Sequence, residues 1–188
     1  ALPDTYKPTD VSLFYHAANH ISAVLLTLHK MHGLASQDAL TGVLNRVGLQ
    51  HELERAWLTS RRYDFPMGVL VADIDNFKTL NDSYGHSTGD EILREFCGIV
   101  EETARASDII ARYGGDEFIV ILPHTEDRDA RTFGKRLLSN VGGHLFCEKS
   151  HRLRLTVTMG IATSRNPTAP ATSATLLSQA DRAMYMGK

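Results

Sequence analysis

Several things are scarce in these 188 residues, and each scarcity closes off a class of protein. There are only two cysteines, Cys97 and Cys147, both in mixed apolar surroundings with no pairing signature. A disulfide-stapled secreted scaffold is thereby excluded, and buried free thiols in a reducing cytoplasm are expected. No apolar run approaches the ~20 residues of a membrane-spanning helix, and no secretory leader is recognisable. The expectation is a cytoplasmic domain without membrane contact. Positive charge is not in excess: 20 Lys and Arg face 22 Asp and Glu, a net charge of −2. Extended nucleic acid, which needs a basic footprint, is not an expected partner. A polyanionic small molecule would have to be met locally, by metal ions and a few cationic side chains. Internal repeats and low-complexity tracts are also missing. What remains, 43% hydrophobic and 22% charged, fits one globular domain long enough to bury a sizeable core. Ala1 stands where an initiating Met would, and the chain stops at Lys188 inside a helical pattern, as expected of a segment of a longer, sensory protein.

The chemistry is concentrated in the stretch Ala111–Leu122. Two apolar runs, Ile109–Tyr113 and Phe118–Leu122, flank Gly114-Gly115, which reads as a hairpin because glycine accepts the positive φ of a tight turn. The glycines are followed by two adjacent carboxylates, Asp116 and Glu117, a donor type suited to hard cations such as Mg²⁺. A second acidic site follows the apolar run Gly68–Ala72, a buried strand with Asp73 at its C-terminal end. Asp73 and Asp75 flank Ile74, so extended geometry points both carboxylates to one face. Carboxylates crowded at the end of a buried strand lose hydration and repel, at a cost that a cation removes. If the two strands are neighbours, Asp73 and Asp116 share one or two Mg²⁺ ions, and phosphoryl or nucleotidyl transfer follows. The bland alternative is two solvated acidic turns.

Along the chain, Val11, Phe14, Ala18, Ile21, Leu25, Leu28 and His32 alternate spacings of three and four over about three heptads. This is either a coiled-coil seam or a helix packed on its own domain. The pairs His16/His20 and His29/His32 have helical spacing but no Cys or acidic partner, so solvated side chains are expected there, not a zinc site. Asp38–Arg46 opens the globular part, and a helix runs to about Arg62. Asn81–Asp90 reads as a polar loop leading into a helix with the core face Ile92, Phe96, Ile99 and Val100. A further helix spans Asp129–Val141. Leu153, Leu155, Val157, Met159 and Ile161 alternate with polar residues as a half-buried strand, and Thr172 or Ser173 caps a last helix. Strands with a hairpin, interleaved with helices, give an α+β domain.

These motifs resemble the GGDEF domain of bacterial diguanylate cyclases over residues 36–188, with residues 1–35 as an N-terminal lead-in and helical linker. The hallmark Arg112-Tyr113-Gly114-Gly115-Asp116-Glu117-Phe118 is whole. Around it stand Asp73-Ile74-Asp75-x-Phe77-Lys78, Asn81-Asp82, Gly85-His86-x-x-Gly89-Asp90, Thr156-Val157-Thr158-x-Gly160-Ile161 and Ala180-Asp181-x-Ala183-Met184-Tyr185-x-x-Lys188. The resemblance implies a five-stranded central sheet wrapped by helices, similar to nucleotidyl cyclases and polymerase palms, preceded by an N-terminal helix. It implies condensation of two GTP into cyclic di-GMP, with release of two pyrophosphates. One product from two identical substrates calls for at least a transient homodimer, and the heptad seam from Val11 to Leu28 is the candidate to set its geometry.

Carried over by position, Asp73, the Ile74 carbonyl, Asp116 and Glu117 would hold two Mg²⁺ (or Mn²⁺) ions per half-site. Asp116 would also take the proton of the attacking hydroxyl, and Lys78 would steady the growing phosphate charge, its alternative being a solvated lysine at a helix start. Lys188 would reach the triphosphate. Asn81 and Asp90 would read the guanine edge, the alternatives being a turn residue and a helix N-cap. His86 would lie near the substrate, and Gly114 and Gly115 would admit it close to the backbone. Arg105-Ala106-Ser107-Asp108 resembles the family's Arg-x-x-Asp product-inhibition site, with Arg136 as a second arm; a surface ion pair is its alternative. A rival reading, a binding module that has lost catalysis, predicts a damaged signature, and none is damaged here. Relaxed base choice, a third reading, is opposed by Asp90.

Overall fold

Eight consecutive buried residues, Met67–Ile74, form the strand β1, which has neighbours on both sides and lies at the centre of the sheet. In the computed structural model, residues 36–165 and 171–188 are described, together with residues 18, 20 and 21. Ile109–Gly114 (β2) and Glu117–Pro123 (β3) form the expected hairpin, and Val157–Thr163 (β4) is the remaining strand. The order is β2-β3-β1-β4, with every pairing antiparallel. Among the described residues the sheet therefore has four strands, not the five that the resemblance implies. The alternation that pointed to a strand from Leu153 covers two separate features. Arg152 adopts a left-handed φ of 51°, Leu153 makes an isolated bridge with Phe146, and the sheet strand starts only at Val157. Period-two patterning reports which side of the backbone is buried, not which partner the strand has.

Five helices cover the sheet: Arg46–Tyr63 (α1), Phe77–Tyr84 (α2), His86–Thr103 (α3), Asp127–Gly143 (α4) and Ser173–Tyr185 (α5). Asn45 caps α1, its side chain accepting from the N–H groups of Val47 and Gly48. Thr172 caps α5 through a reciprocal box with Thr175. Side chains alternating along β1 sort into two cores. Leu70, Ala72 and Ile74 pack with Phe96, Val100, Phe118 and Leu137, on the side of α3 and α4. Val69 and Val71 pack with Leu49, Trp57, Ile119, Leu176 and Ala180, on the side of α1 and α5. Gly160 is where α5 crosses β4 most closely: a Cβ there would stand 2.0 Å from the Ala180 carbonyl oxygen and 2.2 Å from the Met184 nitrogen.

The segment expected to be a polar loop, Asn81–Asp90, is instead almost wholly helical. Only Gly85, with φ 85° and ψ 158°, interrupts it, closing α2 and opening α3 at one residue. Its polarity reflects the exposure of a short amphipathic helix rather than the absence of one. Asp90 therefore lies one turn inside α3 and is not its N-cap. Residues 18, 20 and 21 are helical and exposed. The rest of the proposed heptad seam, the histidine pairs apart from His20, and residues 166–170 lie outside the described residues. Among the described residues, no helix is long and apolar enough to cross a membrane.

Candidate active site

The site begins with a register. Asp73 is opposite Glu117 on β3 and Thr158 on β4, and it is 7% exposed. Alternation places Asp73 on the same side of β1 as Val69 and Val71, and Glu117 on the same side of β3 as Ile119 and Ile121. Two carboxylates thus meet across adjacent strands on the α5 side of the sheet. Gly114 pairs with Glu117 after a register shift at Arg112/Gly114, so Gly115 and Asp116 form the turn itself. Arg112 holds that turn from beneath. Its Nε and Nη2 donate to the Gly115 carbonyl at 2.9 and 2.7 Å, and its Nη1 donates to Asp38 Oδ1 at 3.1 Å. Burial pushes the Asp38 carboxyl up, but donors from Thr41 and Arg112 outweigh it and hold it below its ordinary value.

The electrostatics follow from the crowding. Burial, and then the charge of Asp73, raise the Asp116 carboxyl above its ordinary value. Glu117 is raised by burial, then by Asp73, Asp116 and Asp181. One ammonium answers them: Lys188 Nζ lies 2.8 Å from Asp73 Oδ1, and its own pKa is raised by that hydrogen bond. Asp73, Asp75, Asn76, Thr156, Thr158, Gly187 and Lys188 line a single cavity of about 500 Å³. β1 ends at Ile74, and the Asp75 carboxylate takes the Thr158 hydroxyl at 2.7 Å. The extended-strand argument for Asp73 and Asp75 thus stops one residue short, although both line the cavity. Clustered hard oxygen donors with unrelieved negative charge suit Mg²⁺ or Mn²⁺.

The other predicted residues fall in two places. Lys78 is exposed in the first turn of α2, and His86 is exposed at the start of α3. Asn81 is half-buried, its Oδ1 sealed against Gly89 without a hydrogen-bond partner, and the next residue, Asp90, is exposed. Arg105, Asp108 and Arg136 line a separate small cleft with Thr125, Asp129 and Phe133. There the Asp108 carboxylate accepts from the backbone N–H of Arg105 at 2.8 Å, and Arg136 Nη2 donates to the Thr103 carbonyl at 2.5 Å. Sequence reasoning assigned no role to Asp181, which lies beside Glu117, to Arg112 and Asp38, or to Thr158. Their only signal was membership of the same motifs. Cys97 and Cys147 are free and buried as expected, both thiols pushed up to about 11, chiefly by burial.

Residues 35–188 match the family model described as "Diguanylate cyclase, GGDEF domain". The response regulator PleD of Caulobacter vibrioides is 38% identical over 155 residues, which cover 82% of this chain and 34% of PleD. This chain therefore spans about a third of that relative's length. Among solved structures, the GGDEF domain of PA1120 from Pseudomonas aeruginosa superposes with a TM-score of 0.74 at 33% identity, covering 81% of this chain and 88% of that one. The coiled coil and GGDEF domain of DgcB from Caulobacter crescentus, in complex with c-di-GMP, gives 0.78 at 26% identity, covering 93% and 91%.

Proposed function

This chain belongs to the GGDEF family of diguanylate cyclases, and from that membership we propose that it joins two molecules of GTP into cyclic di-GMP and releases two pyrophosphates. The observation that carries the reading is the opposition of Asp73 and Glu117 across β1 and β3, with Asp116 in the adjoining turn and the carboxyls of Asp116 and Glu117 raised by burial and then by the charge of Asp73. Asp73, the Ile74 carbonyl, Asp116 and Glu117 are the groups that would hold two Mg²⁺ (or Mn²⁺) ions per half-site. When bound, such ions polarise the phosphate and acidify the attacking 3′-hydroxyl. Asp116 accepts that proton through the carboxylate oxygen that the metal leaves free. Lys78 and Lys188 meet the triphosphate. Gly114 and Gly115 let it approach the backbone, and His86 flanks it.

Asn81 and Asp90 read the base. A carboxylate accepts from guanine N1–H and the 2-amino group together, and adenine offers neither donor there. Once a bound base covers the exposed Asp90, a carboxylate left buried and unpaired penalises ATP by about 1–3 kcal/mol. One product from two identical substrates calls for two subunits related by a two-fold axis, each presenting one GTP. The N-terminal helix is the element we assign to setting that dimer. Arg105, Asp108 and Arg136 form the feedback site for cyclic di-GMP, the two guanidinium groups supplying planar forks for phosphate or guanine. We place the domain in the cytoplasm.

The test is incubation of the purified protein with Mg²⁺ and GTP, and separately with ATP, followed by chromatographic identification of the products. A cyclic dinucleotide from GTP alone is expected. Hydrolysis to GDP alone, or no turnover, would overturn the reading. Arg105→Ala should abolish product inhibition while leaving the initial rate intact, as read from progress curves with added cyclic di-GMP.

A further inference from the structure

We propose that Gly89 is a specificity-positioning residue: the missing Cβ lets the Asn81 amide oxygen pack against α3, which leaves the amide N–H as the group that meets the base. The proposal rests on the base-reading role given to Asn81 above. A Cβ at residue 89 would stand 1.9 Å from Asn81 Oδ1, 2.9 Å from Asn81 Cγ and 3.2 Å from Phe77 Cζ. The first two distances are shorter than any real contact, so any side chain at residue 89 has to displace the amide. No bond opposes the displacement, because the buried Oδ1 has no hydrogen-bond partner. The backbone of Asn81, by contrast, is fixed: its carbonyl accepts from the Gly85 N–H at 2.8 Å in the turn between α2 and α3. A close fit alone therefore sets where the side chain points.

Two further observations sharpen this. Gly89 is buried inside α3, where glycine is a poor helix former and alanine would ordinarily stabilise. The helix forgoes that gain at a residue whose Cβ would stand against the Asn81 amide. Gly89 also directly precedes Asp90, so a methyl group here pushes one base-reading side chain away from the residue that carries the other. Gly89 touches no substrate itself; it acts through Asn81.

The experiment compares Gly89→Ala, Asn81→Ala and the double variant, using steady-state kinetics with GTP, inosine triphosphate and ATP. Gly89→Ala is expected to raise KM for GTP about tenfold with kcat at saturation little changed, and to reduce the preference for GTP over ATP, whose 6-amino group offers no acceptor to the Asn81 amide N–H, while the preference over inosine triphosphate, set by Asp90 at the 2-amino group, is kept. In the Asn81→Ala background the clash with the amide is gone and only the 3.2 Å approach to Phe77 Cζ remains, so the second substitution should add little. Unchanged selectivity in Gly89→Ala, or effects of the two substitutions that multiply, would overturn the proposal. If Gly89→Ala alone fails to fold, the double variant still decides, because it should fold and match Asn81→Ala. Calorimetric binding of Mg-GTP and Mg-inosine triphosphate separates this inference from the proposed reaction. A wild type that binds GTP without cyclising it sinks the reaction and leaves the positioning test readable. A wild type that binds no GTP sinks both.

Discussion

The two ends of β1 are almost equally buried, yet they are finished in opposite ways. At the start of the strand the backbone polar groups pair with protein. The Met67 N–H donates to Ser164 Oγ at 3.0 Å, the Ser164 N–H returns a bond to the Met67 carbonyl at 2.8 Å, and the Thr125 N–H reaches the Pro66 carbonyl at 3.1 Å. At the far end, Asp73, Asp116 and Glu117 crowd together, and the nearest compensation is the Lys188 ammonium. The closed end spends its polar groups on the fold. The open end leaves much of its negative charge without a protein partner, and there we propose that cations and substrate complete the structure.

The largest effect should come from removing charge at the open end. Asp73→Asn and Asp116→Asn should each lower cyclase turnover on the order of 10⁴-fold, and the double variant should be hardly worse, because the carboxylates act as one unit. Circular dichroism and thermal unfolding should show both variants fully folded. Retention of substantial turnover by either would mean that the acidic cluster is only a solvated end of the sheet.

The closed end should answer in the opposite currency. Ser164→Ala removes the acceptor of a buried N–H and should cost about 1–3 kcal/mol of stability in denaturant titration. Activity per folded molecule should not change. A loss of turnover without a loss of stability would erase the distinction between the two ends.

The closed end and the scaffold were the more legible in the sequence. The apolar run Gly68–Ala72 located β1, Gly114-Gly115 located the hairpin, and the Thr172 cap located the start of α5, because each is a local signal. The joining contacts are not local. Arg112 and Asp38 are 74 residues apart and meet only once β2 is docked. The same holds for Lys188 with Asp73 and for Asp181 with Glu117. The residues were visible in their motifs, but not their partners. Where local reading failed, polarity at Asn81–Asp90 was wrongly converted into a loop, and alternation from Leu153 started the last strand four residues too early; the fifth strand was implied by the family resemblance, not by any run of residues.

The smallest predicted effect is the most direct measure of the unrelieved charge. Burial and the charges of Asp73, Asp116 and Asp181 hold the Glu117 carboxyl above its ordinary value of 4.5 in the folded protein. Folded protein therefore binds more protons than unfolded protein between 4.5 and the raised value. Stability falls as pH rises through that window, and the loss is complete above it. Glu117→Gln removes the penalty. With screening by solvent taken into account, the gain at pH 7 without divalent ions should be about 1 kcal/mol, or about 2–4 °C in Tm. It should vanish as the pH is lowered below 4.5, where the wild-type carboxyl is protonated in both states. Mg²⁺ should then stabilise the wild type more than the variant, because the cation finds one carboxylate fewer. A gain that persists in acid would trace the effect to packing rather than charge, and the two ends of β1 would no longer differ for the reason given.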